Sequence, residues 1–405
     1  MDFEFSKDED ELRREVRNFI RTNLTPEVTQ QLIVERDTGQ RGPLAQAFFA
    51  KIYDAGYFAV SWPKEHGGRG MNAMAQFIVE DEFYRATDMR VGAVGSGAPA
   101  ILECGTEEQI KTYIPAVIGR EIVFAQGYTE PGCGADLAGI RCRAAREGDT
   151  YVINGQKIYV TEAHIATHMF LMVRTDPASK RHAGLSILLV PMTTPGITVR
   201  PLWTIQNDPE APLGTTYGIR QVNEVFFENA TVPASSLLGA EGDGWSVASR
   251  GLNLDRVGAF RYLISIMRDE DIVSWLNTDA RGHERRADPV VRDKVAELWT
   301  EGQVCRLMTM RSLSIVERGG DFAYEGAAEK VWAPEHGVRA TEAISQILGP
   351  YAQLLSSSTG AVESGVFAHN LLGAFQSTVN HGSVHVMRDQ IARRGLGLPR
   401  PGRAK

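Results

Sequence analysis

Residues 124–136 read Phe-Ala-Gln-Gly-Tyr-Thr-Glu-Pro-Gly-Cys-Gly-Ala-Asp, and residues 154–161 read Asn-Gly-Gln-Lys-Ile-Tyr-Val-Thr. The first run is a short apolar strand entering a glycine-rich corner, where Pro131, Gly132 and Gly134 let backbone approach a ligand closely. The second is expected to be the return of a hairpin, with Tyr151-Val152-Ile153 going out, a tight turn at Asn154-Gly155, and Gln156 to Thr161 coming back. Adjacent strands carrying Tyr128/Thr129 and Tyr159/Thr161 would set an aromatic wall and hydroxyl donors beside one cleft. A planar, hydrogen-bonding, redox-active ring suits such a wall.

Before this stretch the chain has helical periodicity. Ser6-Lys7-Asp8-Glu9 has the form of a capping box and is followed by Leu12, Val16, Phe19 and Ile20 at helical spacing. Pro26 is expected to mark the end of that helix. Further helices are predicted around Leu44 to Asp54 and Ala73 to Thr87, and Thr106-Glu107-Glu108-Gln109 opens another. From Ile122 the period becomes strand-like. Short candidates at 122–129, 141–146, 151–153, 157–161, 168–174, 185–190, 197–201 and 224–229 point to a small antiparallel barrel or sandwich ending near Gly239. Helical periodicity resumes at Trp245, with breaks near Gly282, Gly319 and Pro350. The expectation is an α+β chain in three segments: a helical domain over 1–122, a β domain over 123–239 and a helical domain over 240–405.

Composition narrows the function classes. A length of 405 residues implies more than one core. A net charge of -7 argues against a nucleic-acid surface. The longest apolar run, Leu185 to Met192, is far short of the roughly 20 residues a membrane helix needs. The acidic, polar opening Met1-Asp2-Phe3-Glu4 does not read as a signal peptide, and four cysteines without metal spacing read as reduced thiols, so a cytoplasmic location is expected. No metal site is expected. His164/His168 and His381/His385 have i, i+4 spacing, but Ile165 and Gly382 stand where a zinc-hydrolase helix carries its Glu. Gly95-Ser96-Gly97-Ala98-Pro99-Ala100 fits a loose dinucleotide pattern yet follows a helical segment and is broken by Pro99, so it reads as a loop or helix start.

Thr129 to Asp136 resembles the flavin signature of the acyl-CoA dehydrogenase family, and Tyr159-Val160-Thr161 stands where that family usually has Trp-Ile-Thr. The resemblance extends over nearly the whole chain, to Arg393-Arg394-Gly395-Leu396-Gly397-Leu398-Pro399-Arg400. It implies an N-terminal helical domain, a middle antiparallel β-barrel and a C-terminal four-helix bundle. It also implies FAD, held by Gln126, Tyr128, Thr129, Gly134, Ala135, Tyr159 and Thr161, by the run Gln346-Ile347-Leu348-Gly349 at the diphosphate, and by Gly382 and Ser383. The implied partners are an acyl-CoA or carrier-bound acyl substrate, an electron-transferring flavoprotein as acceptor, and sister subunits in a homotetramer or heterotetramer. Ala98 and Ala135 would line the acyl side, with small residues at 98–100 leaving room for a bulky or branched group. Asn253 and Arg256 would meet the CoA.

Desaturating an acyl thioester removes a proton from the α-carbon while a hydride leaves the β-carbon for the flavin. The base must therefore approach from the face the flavin leaves open. In the family an acidic residue just before an Arg is one location of that base, which here is Asp255 before Arg256. The other is a Glu in a Glu-Gly-Thr motif near the C-terminus. Here that motif reads His381-Gly382-Ser383. By this matching Asp255 is the carboxylate candidate and His381 the alternative. The usual Arg-x-x-Phe-Gly element is also missing, residues 279–286 reading Asp-Ala-Arg-Gly-His-Glu-Arg-Arg. Both departures resemble actinobacterial-type members built from two unlike subunits.

Overall fold

A computed structural model describes residues 5–38, 41–87, 91, 97–179, 181–207, 222–255, 259–320 and 323–399, apart from the side chains of 36–38, 250–255, 259–261 and 265. The first six helices are α1 (Lys7–Asn23), α2 (Pro26–Thr38), α3 (Pro43–Asp54), α4 (Ala73–Thr87), α5 (Gly97–Cys104) and α6 (Glu107–Ile118). Eight strands follow: β1 (Phe124–Gly127), β2 (Arg143–Glu147), β3 (Thr150–Thr161), β4 (His168–Arg174), β5 (Leu185–Pro191), β6 (Ile197–Pro201), β7 (Val222–Pro233) and β8 (Leu237–Leu238). The remaining helices are α7 (Gly244–Asp255), α8 (Ala259–Thr278), α9 (Ala280–Arg285), α10 (Pro289–Glu317), α11 (Glu325–Leu348), α12 (Val366–Gly373), α13 (Gln376–Val379) and α14 (Val384–Gln390).

Both expected capping boxes form. Ser6 Oγ accepts from Glu9 N while the Glu9 carboxylate accepts from Ser6 N at 2.7 Å, and Thr106 and Gln109 do the same at α6. Pro26 does not simply end a helix. It starts α2, because proline at a first helical position lacks only a donor that would be unpaired there anyway.

The chain forms two compact units, which do not follow the order of its segments. A helical unit comprises residues 1–30, 71–91 and 256–405. In it α8, α10 and α11 pack on one another, α4 lies against α8 and α10, and α14 lies against α11. Its core includes Phe77, Ile78, Tyr262, Leu263, Ile266, Leu313 and Ala333, with the Phe77 and Tyr262 rings stacked at 5.6 Å. The close approach of α10 to α8 requires Gly302, since a β-carbon there would lie 2.9 Å from Ile266 Cγ2. This core also encloses charge: Asp269, Glu329, Lys330 and His336 are all buried.

The sheet unit comprises residues 31–70 and 92–255. Its strands run in the order β6-β7-β3-β2-β4-β5-β8, with β1 also paired to β4. Pairing is antiparallel except where β1 and the first residue of β2 meet β4 in parallel. Burial alternates along β1 and much of β7, whereas β4 and β5 are buried at nearly every position. Helix α7 lies against β5 and α5 against α7. The amide of Gln109 on α6 donates to Ser235 O and Leu237 O, both at 2.9 Å, tying that helix to β8.

The expected Asn154-Gly155 hairpin turn is not one. β3 runs through it without reversing, and the β2–β3 turn lies at Gly148-Asp149, where Gly148 has φ +59°. Position 155 is instead a bulge: the register against β7 shifts between Ile153 and Gly155. Asn154 Oδ1 accepts from Asn229 N at 3.0 Å across the strands, and a β-carbon at Gly155 would lie 2.7 Å from Cys142 Cα. Cross-strand partners, rather than local turn preference, decide this position.

Candidate active site

In the sheet unit β1 delivers the chain to the corner that follows it. Gln126 lies on β1 opposite Phe170 of β4, and buried Tyr128 sets its ring edge-on to Phe170 at 6.2 Å. Glu130 N donates to Cys133 O at 2.9 Å and Cys133 N to Glu130 O at 3.0 Å, closing a turn that carries Pro131 and Gly132 outward. Gly134, Ala135 and Asp136 are exposed beyond it. A β-carbon added at Gly132 would meet nothing within 4 Å, and at Gly134 only Thr129 Cγ2 at 3.8 Å. The corner therefore has open space in front of its backbone.

β3 supplies the neighbouring segment. Ile158 N donates to Thr129 O at 2.9 Å, so the two predicted runs lie side by side. Between Lys157 and Val160 the register against β7 slips, and Tyr159 takes φ +58°. A tyrosine in that region costs about 1–3 kcal/mol and persists only where its neighbours over-determine it. The conformation leaves the ring 67% exposed, unusual for a large aromatic, with Thr161 exposed two residues on. Tyr128, Thr129, Gly134, Ala135, Tyr159 and Thr161 thus fall on two adjacent segments bordering one open face.

Two residues that local sequence signals did not reveal hold this arrangement. Lys157 is 0% exposed, and its Nζ donates to Glu130 Oε1 at 2.8 Å and to Tyr128 O at 3.1 Å. The Glu130 carboxylate also accepts from Arg141 N at 2.7 Å and Cys142 N at 2.9 Å. Burial pushes the neighbouring Cys142 thiol up to about 11, which keeps it neutral near pH 7. No local pattern in the sequence links Lys157 to a Glu 27 residues away.

Ala98 is 1% exposed on α5, next to Gly97, where an added β-carbon would lie 3.1 Å from Phe170 Cδ2. The start of α7 is set by Gly242-Asp243-Gly244: Gly242 N donates to Ser186 Oγ at 2.9 Å, and Gly244 packs on the Ser186 backbone. Trp245 stacks on His182 at 3.9 Å. Asp255 is the last residue of this helix. The side chains of Asn253 and Asp255, and Arg256 altogether, lie outside the described residues.

In the helical unit, exposed Gln346 lies on the last turn of α11, and Gly349 caps that helix with φ +61°. Arg285, in the segment that lacks the Arg-x-x-Phe-Gly element, comes against this cap: a β-carbon at Gly349 would lie 3.0 Å from Arg285 Nη1. A guanidinium therefore does stand beside the Gln346–Gly349 run. Arg281 is engaged otherwise, with Asp279, with Gly360 O at 2.9 Å, and over the Tyr351 ring at 4.6 Å. His381 and Gly382 take φ +49° and +93°, and exposed His381 precedes Ser383, whose hydroxyl accepts from Val386 N as the N-cap of α14. Buried Lys330 donates to Ser377 O, anchoring the turn ahead of His381. Among the described residues no group of three His, Cys, Asp or Glu could hold a metal, and no helix is long and apolar enough to cross a membrane.

The acyl-CoA dehydrogenase N-terminal, middle and C-terminal domain models match residues 6–121, 125–217 and 242–396. The chain is 31% identical to the acyl-CoA dehydrogenase FadE26 of Mycobacterium tuberculosis, covering 100% of both chains. The chain belongs to the acyl-CoA dehydrogenase family. A second relative, acyl-CoA dehydrogenase FadE29 of the same organism, is 31% identical over 99% of each chain. Among solved structures, the Tcur3481-Tcur3483 steroid ACAD superposes with a TM-score of 0.84 at 29% identity, covering 99% of this chain and 100% of that one. The ChsE4-ChsE5 complex from Mycobacterium tuberculosis gives 0.83 at 30% identity, covering 99% and 100%. As an acyl-CoA dehydrogenase the protein is an FAD-dependent oxidoreductase acting on acyl-CoA, with helical N- and C-terminal regions and a sheet domain between them in sequence. The open corner at Gly132–Ala135 and the exposed Tyr159 fit a flat ring system.

Proposed function

We propose that this acyl-CoA dehydrogenase introduces an α,β double bond into a bulky acyl-CoA, with Asp255 as the base that removes the α-proton. The observation that carries the reading is the pairing of two segments, Tyr128–Ala135 and Tyr159–Thr161, whose exposed residues Pro131, Gly132, Gly134, Ala135, Tyr159 and Thr161 lie at backbone with open space in front of it. In the sheet unit Gln126, Tyr128, Thr129, Gly134, Ala135, Tyr159 and Thr161 hold FAD; in the helical unit Gln346, Gly349 and the guanidinium of Arg285 meet the diphosphate of an FAD across a subunit boundary, and Gly382 and Ser383 its adenosine half. FAD, when bound, supplies the two-electron acceptor for the hydride leaving the β-carbon. Asp255 takes the proton, while Asn253 and Arg256 engage the CoA and Ala98 and Ala135 border the acyl group. The steroid ACAD named among the structural neighbours supports a bulky acyl group. Electrons then pass to an electron-transferring flavoprotein in the cytoplasm. The domains run 1–122, 123–239 and 240–405.

A second reading concerns assembly. His381 in place of the motif's Glu, and the two-component names of both structural neighbours, support a heterotetramer in which an unlike subunit completes the flavin site. Anaerobic mixing with an acyl-CoA tests the base: Asp255→Asn is expected to retain FAD yet bleach it about 10²–10⁴-fold more slowly. His381→Ala should bleach at the normal rate. Wild-type bleaching by Asp255→Asn would remove that residue from the mechanism, and FAD bound at one per chain in a homo-oligomer would reject the unlike partner.

A further inference from the structure

We propose that the buried Lys157–Glu130 pair is a positioning device that holds the two cofactor-facing segments at a fixed separation, so that FAD affinity depends on side chains turned into the interior. This rests on the reading of Tyr128–Ala135 and Tyr159–Thr161 as the flavin wall. Three stretches of chain converge on the Glu130 carboxylate: β3 through Lys157 Nζ at 2.8 Å, and the entry to β2 through Arg141 N at 2.7 Å and Cys142 N at 2.9 Å, while Glu130 itself starts the corner turn. Lys157 also grips the corner from behind through Tyr128 O at 3.1 Å. Neither side chain reaches the open face, Lys157 being 0% exposed and Glu130 7%.

What the pair controls is read from the backbone beyond it. Ile158 N bonds to Thr129 O, and the next residue, Tyr159, leaves the regular strand with φ +58° and turns its ring outward. The ladder against β7 pairs Lys157 with Val225 and then slips before Val160, so it does not hold residues 158 and 159. An apolar residue at 157, with an uncharged one at 130, would fill the interior at little cost, since a whole buried ion pair is commonly no more stable than packed hydrocarbon, whereas losing Lys157 alone leaves the Glu130 carboxylate unpaired. It would release the grip on Tyr128 O and let the corner move against Tyr159. The charge is retained here for geometry.

The test uses the full-length protein and four variants: Lys157→Met, Lys157→Arg, Glu130→Gln and Lys157→Met/Glu130→Gln. FAD affinity is measured by titrating apoprotein with FAD and following flavin fluorescence, the site's shape by visible-region circular dichroism of bound FAD, and stability by melting the apoprotein. Lys157→Met is expected to weaken FAD binding at least about tenfold, equivalent to about 1.4 kcal/mol, and to alter the visible dichroism. Lys157→Arg recovers part of both. In the double variant the apoprotein melting temperature rises back toward wild type, because no lone buried charge remains, while FAD affinity stays low. Should Lys157→Met fail to fold, the comparison of Lys157→Arg and Glu130→Gln carries the same contrast. An FAD affinity within about twofold of wild type in a folded variant, or one that recovers in step with melting, overturns the proposal. Tyr159→Ala and Thr129→Val separate the two failures. If they also leave FAD binding unchanged, the wall itself is misplaced; if they weaken it while Lys157→Met does not, only the positioning role falls.

Discussion

Replacing His336 with leucine is expected to destabilise the helical unit by about 3–5 kcal/mol, the range for breaking a buried charge pair from one side. The magnitude follows from what surrounds the ring. His336 is 0% exposed; its Nε2 lies 2.8 Å from Asp269 Oδ2 on α8 and its Nδ1 2.9 Å from Glu301 Oε2 on α10. Each ring nitrogen thus faces a carboxylate oxygen, an arrangement that favours the protonated imidazole. Burial alone would lower its pKa, but the hydrogen bonds and charges of Asp269 and Glu301 outweigh it and the net shift is upward. Burial likewise lifts Asp269, partly offset by His336, while Glu301 is lowered because Arg339 and His336 overcome its burial. Burial pushes the Cys305 thiol on α10 up to about 12, which keeps it neutral, and the charge of Glu270 on α8 adds to the rise of Asp269.

The sign of the pH dependence follows from those directions. A raised His336 contributes fully below the ordinary histidine range, about 6.5, and its contribution is lost as pH climbs through its higher folded value. Asp269 acts in the same sense at lower pH, whereas the contribution of Glu301 is lost as pH falls. Wild-type protein should thus lose stability on moving from neutral to alkaline pH, and His336→Leu should lack that loss. At about 2–4 °C per kcal/mol for a unit of this size, the variant melts about 6–20 °C lower near pH 7. It regains part of that at acidic pH, where Asp269 can protonate. Differential scanning calorimetry of the apoprotein from pH 5 to 9 is the assay. A variant within about 1 kcal/mol of wild type, or a wild-type stability flat above pH 7, would refute the buried-cation argument.

Two further outcomes test other parts of the structure. Arg285→Ala should weaken FAD retention on gel filtration, by about tenfold in affinity for a lost charge-assisted hydrogen bond, without changing the apoprotein melting temperature by more than a degree or two. Gly155→Ala should cost about 1–3 kcal/mol in urea unfolding, because a β-carbon there would lie 2.7 Å from Cys142 Cα and 2.8 Å from its Sγ.

Signals spanning three or four residues were legible in the sequence. The capping boxes at Ser6/Glu9 and Thr106/Gln109 mark helix starts because cap and partner are three residues apart, and β4 and β6 span the expected 168–174 and 197–201. Pro26 follows the end of α1 at Asn23 as expected and also opens α2, whereas Asn154-Gly155 misled because a turn dipeptide is equally a bulge when Asn229 and Cys142 lie across from it. The adjacency of the Thr129 and Tyr159 segments was readable, since both lie on the runs that define them, although the Tyr128 ring is buried against Phe170. Its support was not. Lys157 meets Glu130 across 27 residues, and Arg285 meets the Gly349 cap through a fold that no motif spacing encodes.

The measurement that bears most directly on the central claim is anaerobic titration of the purified protein, alone and with the unlike subunit proposed for it, with bulky acyl-CoAs. Flavin absorbance is followed and the product identified by mass spectrometry. The account expects the flavin to bleach on mixing and an acyl-CoA short of two hydrogens, with its new double bond next to the thioester, to accumulate. A protein that stays colourless in excess FAD in both preparations, or a bound flavin that no acyl-CoA reduces, would contradict it.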